Sequence, residues 1–340
     1  MQIQKNQSLK QYNTLGFDQR AEYFVSVSDD DTLNEALDYA KQHQLSLFVI
    51  GGGSNLVLTR NIKGLVLHCA QRYIKYTPGA SGDSCTVAAG AGVPWHELVL
   101  DTLANGAPGL ENLSLIPGQV GAAPVQNIGA YGVELKDRMH SLRALHLPSR
   151  QWHTFAVNEC QFEYRDSMFK RKKNEFLINE VIFDLGTHHG TTTEYASLSQ
   201  HLDRVGVTNP TADDISKAVI TIRQSRLPDP NKLGNVGSFF HNPIVKRDHL
   251  QSLRQRYPKI VSFDVDSLHV KLSAAWMIDT LGYRGIRKGD VGVYDKQALV
   301  LVNHRRGSEN GRSLVELADE IREAVDTQFN VKLNIEPLVI

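Results

Sequence analysis

Two glycine-rich segments without charged side chains are the parts of this sequence best suited to hold a ligand against the backbone. The longer segment covers residues 116–132 and contains four glycines and two prolines. The shorter one, 51–55, reads Gly-Gly-Gly-Ser-Asn and directly follows the apolar run 47–50. Glycine permits close approach and positive φ angles, and clustered backbone N–H groups bind phosphate oxygens. A tight loop between core strands would explain either segment alone, but the two together favour an anionic cofactor.

The common nucleotide-binding motifs are missing from both segments. A dinucleotide fingerprint would need a third glycine at the position of Leu56, three residues after Gly53. A phosphate loop of the NTPase type needs a Gly-Lys-Ser/Thr sequence, and neither segment contains the lysine. The two segments therefore indicate a different phosphate-binding architecture.

The composition argues against several classes of partner. Lysine plus arginine and aspartate plus glutamate both number 37, so no net field attracts nucleic acid or an anionic membrane. The three cysteines, Cys69, Cys85 and Cys160, show neither close pairing nor metal-ligand spacing. The N-terminus lacks the apolar core of a signal peptide, and no apolar run approaches membrane-spanning length. We therefore expect a cytoplasmic globular protein of two or three domains, without a nucleic-acid, membrane or obligate protein partner.

Helix and strand patterns alternate along the chain and predict the α+β class. Capping-box patterns that begin at Thr32 and at Ser313 predict one helix each, and a third helix follows Thr211. Alternating apolar and polar residues over 331–336 predict a final strand. The apolar face predicted for the third helix consists of Ile215, Ala218, Val219 and Ile222. Further strands are predicted at 46–50, 64–69, 86–89, 141–147, 152–157, 176–185 and 298–302.

Four segments, in matching order and spacing over nearly the whole chain, resemble one family: the UDP-N-acetylenolpyruvoylglucosamine reductases, flavoenzymes of peptidoglycan precursor synthesis. They are Gly51-Gly-Gly-Ser-Asn55, the run from Ile116-Pro-Gly to Asn127-Ile-Gly-Ala-Tyr-Gly132, Tyr164-Arg-Asp-Ser167, and Gly237-Ser-Phe-Phe240 followed by Asn242-Pro243. The resemblance implies a bipartite FAD-binding module of the vanillyl-alcohol-oxidase type over about residues 19–189, and a C-terminal α+β substrate-binding domain. The segment Thr193-Glu-Tyr195 resembles the loop of the family's longer subtype, in which a tyrosine closes over the nucleotide sugar.

The resemblance also implies domain boundaries and a cofactor. Residues 1–70 would form the first FAD-binding subdomain, with 331–340 returning to it, 71–210 the second, and 211–330 the substrate-binding domain. The implied cofactor is non-covalent FAD, and NADPH is the co-substrate. The residues assigned to the FAD site are Gly51, Gly52, Gly53, Ser54, Asn55, Pro117, Gly118, Gly121, Ala122, Ala123, Asn127, Gly129, Ala130 and Tyr131.

All three implied catalytic residues also have ordinary structural explanations, and the first two are Arg165 and Ser238. Arg165 could be an exposed arginine paired with Asp166. In the family it polarises the enolpyruvyl carboxylate of the substrate, a group that a guanidinium binds through bidentate hydrogen bonds. Ser238 follows a glycine and could simply belong to a turn. In the family this serine protonates the substrate carbon next to the carboxylate, which is plausible because an enolate carbon is strongly basic.

Glu336 is the third implied catalytic residue. Its ordinary explanation is a carboxylate on the solvated face of the last strand, beside Lys332 and Asn334. An ungapped match to the family's C-terminal Leu-Glu-Pro-Glu-Val pattern places Glu336 at the catalytic position. A gapped match of Glu336-Pro337 to the Glu-Pro of that pattern would place Leu338 there and leave no acid. We prefer the ungapped match, because an insertion within a strand would invert its alternation.

The implied substrate is the enolpyruvyl ether of UDP-N-acetylglucosamine, which is reduced to UDP-N-acetylmuramate. Arg226 stands where the family often has lysine, and either cation can hold a diphosphate. No metal site is predicted, and the adjacent His188 and His189 are interpreted as solvated loop residues. Rival interpretations are an alcohol oxidase of the same FAD superfamily and a flavin- or nucleotide-sugar-binding regulator without turnover. The residues expected to contact the nucleotide sugar are Tyr164, Tyr195, Arg226, Asn242 and Gln297.

Overall fold

The computed structural model describes residues 1–80, 82–309 and 311–340, and these mix helices and strands as the α+β prediction requires. The strands are β1 (Gln4–Ser8), β2 (Arg20–Val27), β3 (Leu47–Ile50), β4 (Leu56–Val57), β5 (Ile62–Cys69), β6 (Ile74–Pro78), β7 (Ser84–Gly90), β8 (Gly129–Ala130), β9 (Val133–Glu134), β10 (Met139–His146), β11 (Gln151–Ala156), β12 (Phe176–Gly186), β13 (Gly234–Ser238), β14 (Ile244–Lys246), β15 (Ser262–Asp264), β16 (His269–Leu272), β17 (Arg287–Lys288), β18 (Val291–Val293), β19 (Val300–Asn303) and β20 (Leu338–Val339). The α-helices are α1 (Asp30–Gln42), α2 (Trp95–Ala104), α3 (Met168–Arg171), α4 (Ala196–Val205), α5 (Ala212–Arg226), α6 (Arg247–Arg256), α7 (Ala274–Thr280) and α8 (Gly311–Phe329).

The described residues group into two compact units. The first contains Met1–Gln7, Ala21–Gly52 and Lys63–Ser225, and the second contains Ser8–Arg20, Gly53–Ile62 and Arg226–Ile340. The three predicted domains remain a prediction, and helix α5 falls in the first unit except for its last residue, Arg226.

The first unit contains two sheets, and one cluster of buried residues receives side chains from both of them. One sheet has the strand order β1-β2-β5-β3, and its strands β3 and β5 are parallel. The other is antiparallel, with the order β11-β10-β12-β7-β6. Buried side chains of helix α1 pack with those of β2 and β5, and Leu145 and Leu177 of the second sheet join the same cluster. Because parallel β3 ends at Ile50, the first glycine-rich segment begins at the carboxyl end of a strand.

A second cluster of the first unit lies between the antiparallel sheet, helix α2 and the longer glycine-rich segment. It includes Trp95, Leu98 and Phe183, together with Val120 and Ala123 of the segment itself. Helices α4 and α5 form a further small cluster that buries the predicted face of α5, and the ring of Tyr131 packs against it. The longer segment is therefore supported from several sides within this unit.

The second unit has its own core around helices α7 and α8. Its largest sheet has the order β13-β19-β18-β17, and a three-stranded sheet has the order β14-β16-β15. The short strands β4 and β20 pair in parallel, Leu56 with Leu338 and Val57 with Val339. Phe239 and Phe240 are almost completely buried in this core, at 0% and 1% exposure.

Three local predictions were wrong in detail. Helix α1 begins two residues before Thr32, because the side chain of Asp29 accepts a hydrogen bond from the Thr32 N–H and caps it. Ser313 lies inside helix α8, which already begins at Gly311. The segment 331–336 shows the predicted alternation of burial, but it forms only a single bridge, between Ile335 and Phe240. Among the described residues, no helix combines the length and the apolar character needed to cross a membrane.

Candidate active site

The first two glycines of the shorter segment lie against the longer one. A Cβ atom added to Gly51 would stand 3.0 Å from the side-chain oxygen of Gln119, and one added to Gly52 would stand 3.5 Å from the Cα of Gly118. The N–H of Trp95 donates to the carbonyl of Gly118 at 3.0 Å, and Pro94 and Gln119 form an antiparallel bridge. Within the first unit, Gly51 and Gly52 therefore lie on one surface with the longer segment, and side chains at these two positions would crowd it.

The longer segment has a backbone that only a few residue types tolerate. Gly118 has φ +115°, and Asn127 and Tyr131 are held at +44° and +49°. A Cβ atom at Gly121 would come within 2.5 Å of the Cβ of Ala91, so glycine is required there for packing. Left-handed conformations cost free energy for residues other than glycine, and such strain concentrates at ligand-binding sites.

An unsatisfied polar atom in the longer glycine-rich segment fits a bound FAD. The side-chain oxygen of Gln119 is buried and, within the described ranges, has no hydrogen-bond donor, although its amide nitrogen donates to the Gly92 carbonyl. An unpaired buried acceptor costs about 1–3 kcal/mol and indicates that a ligand supplies a donor. A flavin carries such a donor on its pyrimidine ring. By contrast, the side chain of Asn127 is already committed to Glu134, Glu163 and Lys136, so any cofactor contact there would use its backbone.

Arg165 is fixed to the longer segment rather than to the neighbouring acid. Its guanidinium donates to the carbonyls of Asn127 and Gly129 and lies over the ring of Tyr164, 5.3 Å from the centroid. Asp166 forms its ion pair with Arg171. Arg165 has φ +56°, and its own carbonyl accepts a hydrogen bond from Lys170 at 2.8 Å. A cation held this firmly can bind a carboxylate without first being ordered.

Tyr131 and Tyr195 pack edge to face, with ring centroids 5.3 Å apart. Asn112, which is 1% exposed, connects the two chain segments: its amide donates to the carbonyl of Tyr131 at 2.8 Å and to that of Thr192, three residues before Tyr195, at 2.9 Å. Tyr195 itself is 49% exposed, immediately before helix α4. The segment that carries Tyr195 is thus tied to the longer glycine-rich segment at its base, whereas its tyrosine ring remains accessible.

Ser238 stands at the end of a bulged strand in the second unit. Strand β13 pairs with β19 through Asn235 and Ser238, and the register shifts between these two residues. Gly237 adopts φ +72°, and its N–H is held by the side chain of Asn235 at 3.0 Å. A bulge of this kind re-aims the side chain that follows it and is common beside active sites. Ser238 is half-buried, next to the buried Phe239 and Phe240.

Glu336 lies beside the strand that carries Ser238. Its N–H donates to the carbonyl of Phe239 at 2.9 Å, and its own carbonyl receives the side-chain amide of Asn55 at 3.4 Å. Its carboxylate is 14% exposed and lies 3.7 Å from the imidazole of His241. Glu336 is therefore mostly buried and placed next to Ser238 by backbone pairing, rather than on a solvated strand face.

The remaining predicted substrate contacts occupy different settings. Asn242 caps helix α7 by accepting from the Ala274 N–H at 3.0 Å, and Gln297 accepts from the Leu299 N–H at 3.4 Å. Arg226 is exposed at the end of helix α5. Three of these predicted site residues belong to the first unit: Arg165, Tyr164 and Tyr195. Five belong to the second unit: Ser238, Glu336, Asn242, Gln297 and Arg226.

The sequence motifs do not identify two residues that the structure makes notable, Arg223 and His241. Arg223 has a buried guanidinium nitrogen without a partner in the described residues, and His241 stands beside Glu336. A weak signal for Arg223 exists, because it follows Val219 by four residues and therefore borders the apolar face of α5. His188 is exposed and His189 half-buried on a 3-10 turn, in agreement with the prediction of solvated loop residues, and the absence of a metal there stays a prediction. Their rings nevertheless lie 3.9 Å apart, and ligand atoms of both and of Asp184 lie within 4.8 Å of one another. On such a turn, unlike a strand, adjacent side chains can face one another.

Comparison with known proteins first gives the class. Residues 21–151 match the family model for an FAD binding domain, so the chain is a flavoprotein. Residues 229–340 match the model for the C-terminal domain of UDP-N-acetylenolpyruvoylglucosamine reductase.

Full-length relatives then give the family. The chain is 45% identical to the UDP-N-acetylenolpyruvoylglucosamine reductase of Pseudomonas fluorescens and 47% identical to that of Pseudomonas putida, in each case over 99% of this chain and 98% of the relative. It is 45% identical to the enzyme of the same name from Ralstonia nicotianae, over 98% and 97% of the two chains. The chain belongs to the UDP-N-acetylenolpyruvoylglucosamine reductase family, as the sequence segments predicted.

Solved structures confirm the fold class. The reductase of the same name from Thermus caldophilus superposes with a TM-score of 0.67 at 22% identity, covering 100% of this chain and 99% of that one. The 6-hydroxy-D-nicotine oxidase of Arthrobacter nicotinovorans gives a TM-score of 0.50 at 12% identity, over 97% and 86% of the two chains. The FAD-binding fold is thus shared with an oxidase, and fold alone does not fix the reaction.

Proposed function

We propose that this protein reduces the enolpyruvyl group of UDP-N-acetylglucosamine enolpyruvate to UDP-N-acetylmuramate, with NADPH as reductant and FAD as cofactor, in peptidoglycan precursor synthesis. The observation that carries this proposal is the 45% identity to reductases of that name over nearly the whole of both chains. When bound, FAD supplies the relay of a hydride from NADPH to the terminal alkene carbon of the substrate.

The roles of the catalytic side chains follow from the charge that this hydride creates. Hydride addition leaves negative charge on the carboxylate-bearing end of the enolpyruvyl group. Arg165, held on the Asn127 and Gly129 carbonyls, binds that carboxylate. Ser238 then donates a proton to the adjacent carbon, and its buried phenylalanine neighbours keep competing water away. Glu336 acts on the same enolate, and its mostly buried carboxylate beside Ser238's strand supports this assignment.

Binding of the nucleotide sugar is assigned to a separate set of residues. Tyr195 would close over the substrate, and Arg226 would hold its diphosphate. We further propose a cytoplasmic location, where NADPH and nucleotide sugars are available, and no obligate protein, nucleic-acid or membrane partner. The residues proposed to contact the nucleotide sugar are Tyr164, Tyr195, Arg226, Asn242 and Gln297.

A Ser238→Ala variant separates the two half-reactions and tests the proposal. NADPH should bleach the flavin of the variant at the wild-type rate under anaerobic conditions, because that step requires no proton from Ser238. Re-oxidation by the enolpyruvyl substrate should slow by about 10³-fold, within the range for loss of a general acid. Stopped-flow absorbance at the flavin band measures both steps.

The matched control is Ser252→Ala, an exposed serine on helix α6 of the same unit. Equal slowing of both steps by Ser238→Ala would mean that Ser238 shapes the flavin site instead of donating a proton. If oxygen re-oxidises the reduced flavin of the wild-type protein and the enolpyruvyl compound does not, the result would point to an oxidase. Absence of bleaching by NADPH would point to a binding protein without turnover.

A further inference from the structure

Arg223 is a cation for which the described part of the chain provides no counterion. It lies on helix α5, next to the buried Ile222, and its Nε is shielded from solvent without a hydrogen-bond partner. No ion pair to Arg223 occurs in residues 1–80, 82–309 and 311–340. Leaving a buried charged donor unsatisfied is costly, so natural proteins retain such a residue where a ligand completes it.

Burial makes the position of Arg223 costly for a cation. It lowers the pKa of Arg223, Tyr131 acts in the opposite direction, and the like charge of Arg165 lowers the pKa further. Burial also lowers the pKa of His96, and the Arg223 cation adds to that effect. The Nδ1 of His96 accepts the Leu115 N–H at 2.9 Å, which fits a neutral ring. Helix α5 also packs against Tyr131, two residues after Gly129, whose carbonyl holds Arg165. Arg223 thus lies near a second guanidinium and a neutral imidazole within the first unit, and this combination favours a bound anion.

The candidate anions can be ordered by chemistry. The longer glycine-rich segment has no charged side chain, so it offers the cofactor phosphates backbone groups and not arginines. Arg165 is already fixed by two carbonyls of that segment and is the residue assigned to the substrate carboxylate. A carboxylate has two oxygens with about four acceptor sites, so it can be shared between two guanidiniums.

We propose that Arg223 binds the enolpyruvyl carboxylate together with Arg165, as the second cation of a two-arginine clamp. This inference rests on the proposed function, because it requires that the substrate carry this carboxylate. Holding both oxygens fixes the plane of the carboxylate and therefore the face of the alkene presented for reduction. Arg223 is thus assigned to substrate binding and orientation.

The test compares two ligands that differ in the carboxylate. Oxidised holoenzyme without NADPH is titrated with the enolpyruvyl substrate and, separately, with UDP-N-acetylglucosamine, and the flavin absorbance change gives each Kd. Arg223→Met should raise the Kd of the enolpyruvyl substrate on the order of 10- to 100-fold, the range for loss of a charged hydrogen bond. The Kd of UDP-N-acetylglucosamine, which lacks the carboxylate, should change by less than about 3-fold. Arg226→Met is the matched control and should weaken both ligands alike, because it is assigned to the diphosphate.

Melting temperatures distinguish a substrate-binding role of Arg223 from a purely structural role. Methionine has a similar length and no charge, so substrate-free Arg223→Met should melt at or above the wild-type temperature. Arg223→Lys, which keeps the charge but not the planar fork, should recover part of the affinity for the enolpyruvyl substrate. Equal loss for both ligands, loss for neither, a lower melting temperature in both variants, or a changed flavin content would each overturn the clamp. Failure of the proposed function has a different signature, namely wild-type holoenzyme that does not bind or reduce the enolpyruvyl compound.

Discussion

At the scale of single residues, the position of Glu336 bears on which alignment of the C-terminus is correct. Its carboxylate is 14% exposed and lies beside His241, and its backbone is hydrogen-bonded to Phe239. Leu338, the alternative occupant of the catalytic position, belongs to the short strand β20 and pairs with Leu56. The geometry supports the ungapped match, in which the acid at 336 has a reason to be buried.

Glu336→Gln should slow re-oxidation of the reduced flavin by the enolpyruvyl substrate by at least about 10²-fold, the lower range for loss of an acid or base group. The substitution keeps the size of the side chain and removes its charge and its titratable proton. Flavin content and melting temperature should stay close to wild type, because the glutamine amide keeps the size and the hydrogen-bond acceptor of the buried carboxylate. Glu316→Gln, an exposed glutamate on helix α8, is the control. Near wild-type turnover of Glu336→Gln would transfer the role to another group and favour the gapped match.

The role of a side chain could be predicted where a sequence motif surrounds the residue. It could not be predicted where only the folded structure creates the environment of the residue. Arg165 stands inside the motif Tyr164-Arg-Asp-Ser167 and Ser238 inside Gly237-Ser-Phe-Phe240, so their resemblance to the family could be read directly. Arg223 and His241 have no motif, because their significance depends on burial beside Arg165 and beside Glu336. Such pairings are made by residues far apart along the chain, and local patterns do not contain them.

At the scale of elements, helices and long strands were predictable, and short pairings were not. The predicted face of helix α5 is buried as expected, because its 3.6-residue period depends only on local sequence. The segment 331–336 also alternates, yet a strand requires a partner edge, and it finds only the Phe240 bridge. Its neighbour β20 pairs instead with β4, which the alternation could not reveal.

The tight backbone of the shorter glycine-rich segment can be tested with two alanine substitutions. Gly53 and Gly106 have similar φ angles, +59° and +69°, so each Gly→Ala change should cost about 1–2 kcal/mol for the left-handed backbone. A Cβ atom at Gly53 would also overlap the Tyr12 carbonyl, whereas none of the described atoms lies within 4 Å of one at Gly106. Gly53→Ala should therefore be less stable than Gly106→Ala by a further 1–3 kcal/mol or so. Equal shifts of the urea midpoint would show that the loop relaxes easily and is not a rigid cradle.

At the scale of the whole molecule, both glycine-rich segments and the matched FAD-binding domain predict a yellow protein with FAD bound non-covalently. Acid precipitation should release all flavin into the supernatant, and chromatography should identify it as FAD. Protein freed of flavin should melt at a lower temperature, since a ligand at 100 times its Kd stabilises by about 2.7 kcal/mol. Adding FAD should restore the melting temperature. Flavin that stays on the polypeptide, or that proves to be FMN, would contradict the assignment of both segments.

The parallel pairing of β4 with β20 has a consequence for the newly made chain. Thr59 donates both its N–H and its hydroxyl to the carbonyl of Ile340, a residue 281 positions later in the sequence. Asn55 and Val57 accept N–H groups from the same distant segment. A ribosome adds about 5–20 residues per second, so residues 55–59 wait on the order of 15–60 s for these partners. During that time an apolar strand edge beside the shorter glycine-rich segment is open to mispairing, so the newly made chain should be most prone to aggregate before residues 338–340 are translated.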